Sequence, residues 1–247
     1  MGFAYDLSPP IGHRAAFGLI ALQSDETLEP EVTPMLSGDG LALYATRVPS
    51  APEVTAETLA TMEAGLAASA GLLPPSIDFD VVGYACTSGA SVIGAAAVAA
   101  QVRRGVKTRE VTNPMSALAA ACAALGISQT ALLSPYVAHV SDALRAALAE
   151  NGVETPVFGS FDEAEEARVA RMDPASVVAP AVELAGQGDV QGVILSCTNL
   201  RTITVIEQIE TACGLPVLSS NQALAWHMRE LAGVRKAGAV PGQLGQL

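Results

Sequence analysis

The sequence predicts a parallel, doubly wound α/β protein built as two similar units with a crevice between them. Three observations carry this. Short apolar strands alternate with helical segments along nearly the whole chain at short loop lengths, the pattern of a parallel sheet covered by helices. That pattern restarts near residue 114. Two stretches, DFDVVGYACTSGASVIGA from Asp78 to Ala95 and GVILSCTNLRTITVIE from Gly192 to Glu207, repeat one design. Each is an apolar strand, then a Cys-Thr pair, then polar residues that open a helix.

The elements read in order as follows. Residues 1–14 are an irregular lead-in, Ala16 to Leu22 (AFGLIAL) is the first strand, and the polar run Gln23 to Thr27 follows it. A helix begins near Glu29 within limits set by Pro30 and Pro34. Leu41 to Arg47 is the second strand, Thr55 to Ala70 a helix with apolar positions at helical spacing, and the third strand leads to Cys86. A helix from Ser91 to about Arg104, a strand from Lys107 to Val111 and a helix from Met115 to Leu125 complete the first pass. Gly126 suits the left-handed cap of that last helix.

The second pass runs through the strand Gln129 to Leu133, with Ser134-Pro135-Tyr136 placed after it as Gln23-Ser24-Asp25 is after the first. The helix Val137 to Asn151, the strand Pro156 to Ser160, an acidic helix Glu163 to Arg171 and the helix Ala175 to Ala185 follow. The strand Val190 to Leu195 delivers Cys197, and the helix Thr202 to Cys213 ends at Gly214. Leu215 to Leu218 is the last strand, Ser219-Ser220-Asn221 caps the helix Gln222 to Ala232, and the Gly-rich tail Gly233 to Leu247 reads as mobile. We expect residues 1–113 plus 220–247 to form the first unit and 114–219 the second, with the final helix free to cross back to the first.

Half the residues are hydrophobic and 15% are charged, enough apolar chain for a large core. The net charge of −12 argues against nucleic acid or an anionic membrane as partner. No apolar run reaches the length of a membrane span, and MGFAYD has neither a signal peptide's basic start and apolar core nor a myristoylation motif. A cytoplasmic location is the expectation. Four cysteines and three histidines in this chain show neither a disulfide framework nor metal spacing, and no P-loop or dinucleotide fingerprint is present. The expectation is therefore no metal and no organic cofactor.

A strand-to-helix turn aims backbone N–H groups into a crevice and favours negative charge there. A thiol in such a turn is expected to have a lowered pKa. A lone free cysteine is usually a small core hydrophobe; Cys122 is read that way, and Cys213 as a plug at a helix C-terminus. Cys86 and Cys197 stand in matched turns at the carboxyl ends of strands, where ligands bind in open α/β sheets.

At these turns the chain resembles the aspartate/glutamate racemase superfamily, within it the maleate cis-trans isomerase and arylmalonate decarboxylase branch. The markers are QSDETLEPE after the first strand, ACTSG at Cys86, SPY at Tyr136, SCTNLRT at Cys197 and SSNQALAWH near the end. The resemblance implies two Rossmann-like domains with pseudo-twofold symmetry, no cofactor, and one cysteine from each domain flanking a small carboxylic or amino acid in the interdomain cleft. It makes Cys86 and Cys197 the catalytic pair. Thr87, Ser88, Thr198, Asn199 and nearby N–H groups become the substrate-binding set, with Tyr136 donating to the carboxylate from the other domain. A homo-oligomer is the expected assembly.

Keeping both cysteines is unlike the arylmalonate decarboxylases of this branch. Asp25 stands where the maleate isomerase pattern has Asn, and Glu166 aligns with a second such Asn. Ionised carboxylates accept hydrogen bonds and donate none, so an anionic diacid meets repulsion and a substrate bearing an ammonium fits better. The variant pattern resembles the ectoine-utilisation proteins of the branch, proposed racemases of a diaminobutyrate derivative. Plainer readings stand beside these. Asp25 equally suits a helix cap, and Glu166, in the acidic run Asp162 to Glu166, reads as a solvated face. His227 reads as a packing residue, and Arg201 as a carboxylate anchor or an interdomain salt bridge. Maleate isomerisation by thiolate addition is the alternative reaction, and a non-enzymatic sensor of small acids is the alternative class.

Overall fold

The computed structural model describes residues 1–52, 55–234 and 239–247. It holds two four-stranded parallel sheets. The first contains β1 (Ala15–Leu22), β2 (Leu41–Val48), β3 (Phe79–Ala85) and β4 (Thr108–Thr112) in the order β2-β1-β3-β4. The second contains β5 (Gln129–Tyr136), β6 (Glu154–Glu163), β7 (Gly192–Leu195) and β8 (Val217–Ser219) in the order β6-β5-β7-β8. The two orders are the same, strand for strand. Each cysteine turn follows the third strand of its sheet, and Asp25 and Tyr136 sit at the end of the first.

The helices are α1 (Leu28–Leu36), α2 (Ala56–Ala70), α3 (Thr87–Ile93), α4 (Ala95–Gly105), α5 (Pro114–Leu125), α6 (Ala138–Glu150), α7 (Glu166–Val169), α8 (Ala175–Ala185), α9 (Ile206–Cys213) and α10 (Ser220–Ala232). β1, buried along its full length, is the apolar run of a strand covered on both faces. α10 leaves the last strand of the second sheet and packs on β3, β4 and α1 of the first. We propose the domain division 1–113 with 220–247 against 114–219 on this packing. α5 lies along α10 and also touches α6 and β8, so it serves both units.

Three local expectations change. The helix expected from Ser91 starts at Thr87, with Cys86 itself as N-cap, and breaks at Gly94, whose φ of 87° is open to glycine but costly for other residues. The first break thereby puts Cys86 directly at a helix start. β5 and β6 run further than their apolar cores, because Ser134 Oγ accepts the Tyr136 N–H at 3.2 Å and Tyr136 pairs with Glu163. This extension takes the acidic run into the strand and shortens the expected acidic helix to Glu166–Val169. The helix expected from Thr202 opens as a 3-10 turn, Ile203–Val205, before α9.

The tail is docked where it is described. Leu244 is fully buried, Gln222 donates to the Pro241 carbonyl at 2.7 Å, and the Gln243 N–H is held by Glu210 at 3.1 Å. Part of the mobile reading, residues 235–238, lies outside the described residues. Cys122 is buried in α5, and the Cys213 thiol faces the Leu215 carbonyl at 3.7 Å behind the C-terminus of α9, as expected of both. No helix among the described residues is long and apolar enough to cross a membrane.

Because Leu244 is fully buried where the tail packs on α10 and β8, Leu244→Ala is expected to cost about 2 kcal/mol in urea unfolding. A change below roughly 0.5 kcal/mol, the ordinary surface range, would return the tail to a decoration.

Candidate active site

Each cysteine is placed by hydrogen bonds within its own turn. Cys86 caps α3, and its Sγ accepts the Gly89 N–H at 3.1 Å. A Cβ at Gly89 would fall 2.5 Å from the Tyr84 hydroxyl and 2.9 Å from that sulfur, so close approach requires glycine there. Cys197 Sγ accepts the Asn199 N–H at 3.2 Å. Its φ of 106° is strained for a residue with a Cβ, at a cost on the order of 1–3 kcal/mol.

Ser220, the first residue of α10, locks the two turns together. Its Oγ accepts the Cys197 N–H at 3.1 Å and the Thr87 hydroxyl at 2.8 Å. The sequence places it in a helix cap, but the cap is Ser219, and Ser220 is the bridge. A serine pair at the chain's return to the first unit was the available signal. Glu31 had none: from α1 it accepts the N–H groups of Thr202 and Ile203 at 2.8 and 3.1 Å, and the Asn221 amide at 2.7 Å.

The two thiols face one small cavity of about 10 Å³, the room of a single water molecule. Thr87, Ser88, Tyr136, Glu166 and Thr198 line it with them, and Leu22 and Leu59 close it. Asp25 and Asn199 stand behind this lining. Asp25 Oδ1 accepts the N–H groups of Thr27 and Leu28, both at 2.8 Å, so it caps α1. Its Oδ2 is buried with no hydrogen bond of full geometry, the Thr198 hydroxyl being the group near enough to help hold its charge, and that charge is felt by both thiols. The Asn199 carboxamide is committed: Oδ1 accepts the Glu26 N–H at 2.9 Å, and Nδ2 donates to Glu166 Oε2 at 2.7 Å.

Glu166 corrects the reading of its stretch. It is 4% exposed, not a solvated face, and the Tyr136 hydroxyl donates to its Oε1 at 2.7 Å. The cause is the strand extension described above, which turns α7 inward just after the acidic run. The Tyr136 hydroxyl also lies 3.0 Å from Cys197 Sγ. Tyr84 plays a different part at Cys86, with its hydroxyl beside the sulfur and directed at Met62 Sδ, 3.8 Å away.

The expected drop in thiol pKa does not occur in this closed arrangement. Burial pushes the Cys86 thiol up to about 12; the Gly89 N–H pulls the other way, and the charges of Glu166 and Asp25 add to the rise. Burial also pushes Cys197 well above the ordinary thiol range, with Glu166 adding to it. A helix terminus shifts a thiol by a local field, and full desolvation beside two carboxylates outweighs it. Both sulfurs therefore rest as thiols here.

His227 packs, as expected: Nδ1 meets the Thr112 hydroxyl at 2.8 Å, and burial lowers its pKa. Arg201 is exposed on a separate cavity of about 450 Å³ beside α1, away from the thiols, and forms no ion pair among the described residues. The bridge between units there is Arg171 to Glu26, at 3.0 Å. Among the described residues no group of three or more His, Cys, Asp or Glu side chains is placed to hold a metal ion.

Twin parallel sheets with a cysteine turn from each on one closed cavity define a class of two-domain α/β enzymes. The arylmalonate decarboxylase family model matches residues 94–245. The chain belongs to that family. An arylmalonate decarboxylase of Bordetella bronchiseptica is 35% identical over 113 residues, 44% of this chain and 46% of that protein, so this match spans less than half of that relative. A maleate isomerase of Nocardia farcinica is 27% identical over 91% of this chain and 92% of its own. A solved Nocardia farcinica maleate cis-trans isomerase bound to TRIS superposes with a TM-score of 0.81 at 25% identity, covering 93% of this chain and 97% of that one. The family is one of enzymes, which sets aside the sensor reading.

Asp25, Glu31 and Glu166 all have raised pKa values, burial being the first cause for each. The native state then holds protons that the unfolded chain has released. Stability is fully present below the ordinary carboxylate range and falls as pH rises through the higher folded values. Unfolding free energy at pH about 5 is expected to exceed that at about 8, and Asp25→Asn should flatten the difference. An unchanged pH slope in that variant would mean that Asp25 titrates normally.

Proposed function

We propose that Cys86 and Cys197 act as a pair on a small carboxylic acid that also carries an ammonium group. The chain is then a racemase or isomerase of an amino acid, with a diaminobutyrate derivative among its candidates. The observation that carries this is Asp25, a buried carboxylate whose charge both thiols feel and whose Oδ2 has only the Thr198 hydroxyl near it. An ammonium would satisfy it, and a second substrate carboxylate would be repelled by it.

In this reading one thiolate removes the α-proton and the opposite thiol returns a proton to the other face. Ser88 and the backbone N–H groups of the two turns hold the carboxylate and stabilise the enolate-like charge that develops. Thr87 and Thr198 join them where opening of the cavity frees their hydroxyls from Ser220 and the Ala85 carbonyl, while the Tyr136 hydrogen stays with Glu166. Opening of the cavity and arrival of a cation lower the thiol pKa values from their closed-state positions.

A second reading is supported by the relatives. The Nocardia farcinica maleate isomerase matches over nearly the full chain, and a solved form of a maleate cis-trans isomerase from that organism carries a covalent succinylcysteine intermediate. The same pair would then let one thiolate add to the double bond of a cis-diacid, allow rotation, and leave.

A panel of amino acids, N-acylated diamino acids and cis-diacids, turned over in heavy water, separates the two. Racemisation places solvent deuterium at the α-carbon, whereas addition and elimination by sulfur need not. Cys86→Ser and Cys197→Ser should each lower turnover on the order of 10²–10⁴-fold. Asp25→Asn should move preference toward the diacid by roughly tenfold or more. Near-normal rates in both cysteine variants refute the two-thiol reaction, and an unmoved preference refutes the ammonium contact.

A further inference from the structure

Within the two-thiol reading, the sulfurs are not equivalent. The Tyr136 hydroxyl has one hydrogen, and it is given to Glu166 Oε1 at 2.7 Å. While Glu166 is ionised, the contact of 3.0 Å between that hydroxyl and Cys197 Sγ is then donated by the thiol. A continuous chain runs S–H to O–H to carboxylate, fully buried. Its far end is fixed by Asn199, which donates to Glu166 Oε2 at 2.7 Å and to the Glu166 carbonyl at 3.1 Å. Cys86 has no such path: its contacts are the Gly89 N–H and a tyrosine directed at Met62.

We propose that Glu166 takes the Cys197 proton through Tyr136, acting as a positioning residue that makes Cys197 the base for one enantiomer while Cys86 donates the proton to the opposite face. The step balances. The Cys197 S–H bond breaks as its proton passes to Tyr136 Oη, and the Tyr136 O–H bond breaks as its proton passes to Glu166 Oε1. Sulfur keeps its electron pair, tyrosine ends as it began, and one negative charge has moved from carboxylate to sulfur. The groups facing Glu166 are Tyr136 from β5, Cys197 after β7, Cys86 after β3 and Asp25 after β1. The arginines nearby are spent elsewhere, Arg171 on Glu26 and Arg168 on Glu163. Burial holds the Glu166 pKa up, which suits a carboxylate that must accept a proton. Asp25 is left as the partner for a substrate cation.

A proton shared inside the site has a recognisable pH signature. While one negative charge is divided between Glu166 and Cys197, the thiolate share depends on their internal partition and not on the proton concentration outside. Without the carboxylate, the thiolate share grows tenfold per pH unit, as for any isolated thiol. A carboxylate that only repels would instead leave that ordinary slope in place.

The test is iodoacetamide labelling of the intact folded protein between pH about 7 and 9, with the Cys197 peptide quantified by mass spectrometry. The native protein should label Cys197 with less than roughly twofold change across that range, and Glu166→Gln should rise roughly a hundredfold. Tyr136→Phe should lower the Cys197 rate by about tenfold or more throughout, because the thiolate loses its donor. Equal slopes in the native and Glu166→Gln proteins, flat or rising, overturn the proposal, as does an unchanged rate in Tyr136→Phe. Should Glu166→Gln not fold, a rise near tenfold per pH unit in the native protein alone overturns it. No substrate enters the measurement, so its failure is distinct from failure of the substrate assignment above.

Discussion

The Ser220 hydroxyl accepts one hydrogen bond from each cysteine turn, and the geometry of the site depends on that bifurcation. Thr87 belongs to the first sheet's turn and Cys197 to the second's, yet both donate to one oxygen at the start of α10. Removing it would strand two buried donors, each costing about 1–3 kcal/mol. It also explains why α10 returns to the first sheet. A helix that began at the last strand and packed on its own sheet could not hold both turns at once.

Around this point the polar network is laid across the units. Asn199, from the second, caps the Glu26 N–H of the first while gripping Glu166. Glu31, from the first, holds the start of the 3-10 turn beyond Cys197. Such buried groups stabilise only when fully satisfied. Thr202 Oγ1, Asn221 Oδ1 and Asp25 Oδ2 lack a partner of full geometry, and of these Asp25 is the acid, which gives the site a sign. A pocket of neutral carboxamides would tolerate an anion, whereas this one holds acids whose charge burial disfavours, so a cationic group is the better guest.

Much of this was readable in the residues, and what was not has identifiable causes. The alternation of apolar strands and helices gave the architecture, since period and length are local properties. The two Cys-Thr turns and the restart near residue 114 gave the repeat and brought the thiols to one cavity. Glu166 was misread because acidic neighbours signal solvent by composition, while its burial follows from how far β5 and β6 pair. The thiol pKa direction was misread for a related reason. A helix start is visible in sequence, but the desolvation that overrides it is a property of the closed cleft. Ser220 and Glu31 act across 133 and 171 residues of chain respectively, distances over which no local pattern speaks.

A cavity that admits one water cannot receive a substrate without mechanical work. In the proposed division the chain passes between the units at only two places, after β4 and after β8. Two crossings place few covalent constraints on how the units part, so the bonds that span them, Asn199 to Glu26, Arg171 to Glu26 and Glu31 to Thr202, bear the cost of admitting a substrate. None of these bonds touches a sulfur, so the ease of entry and the chemistry at the thiols rest on different bonds.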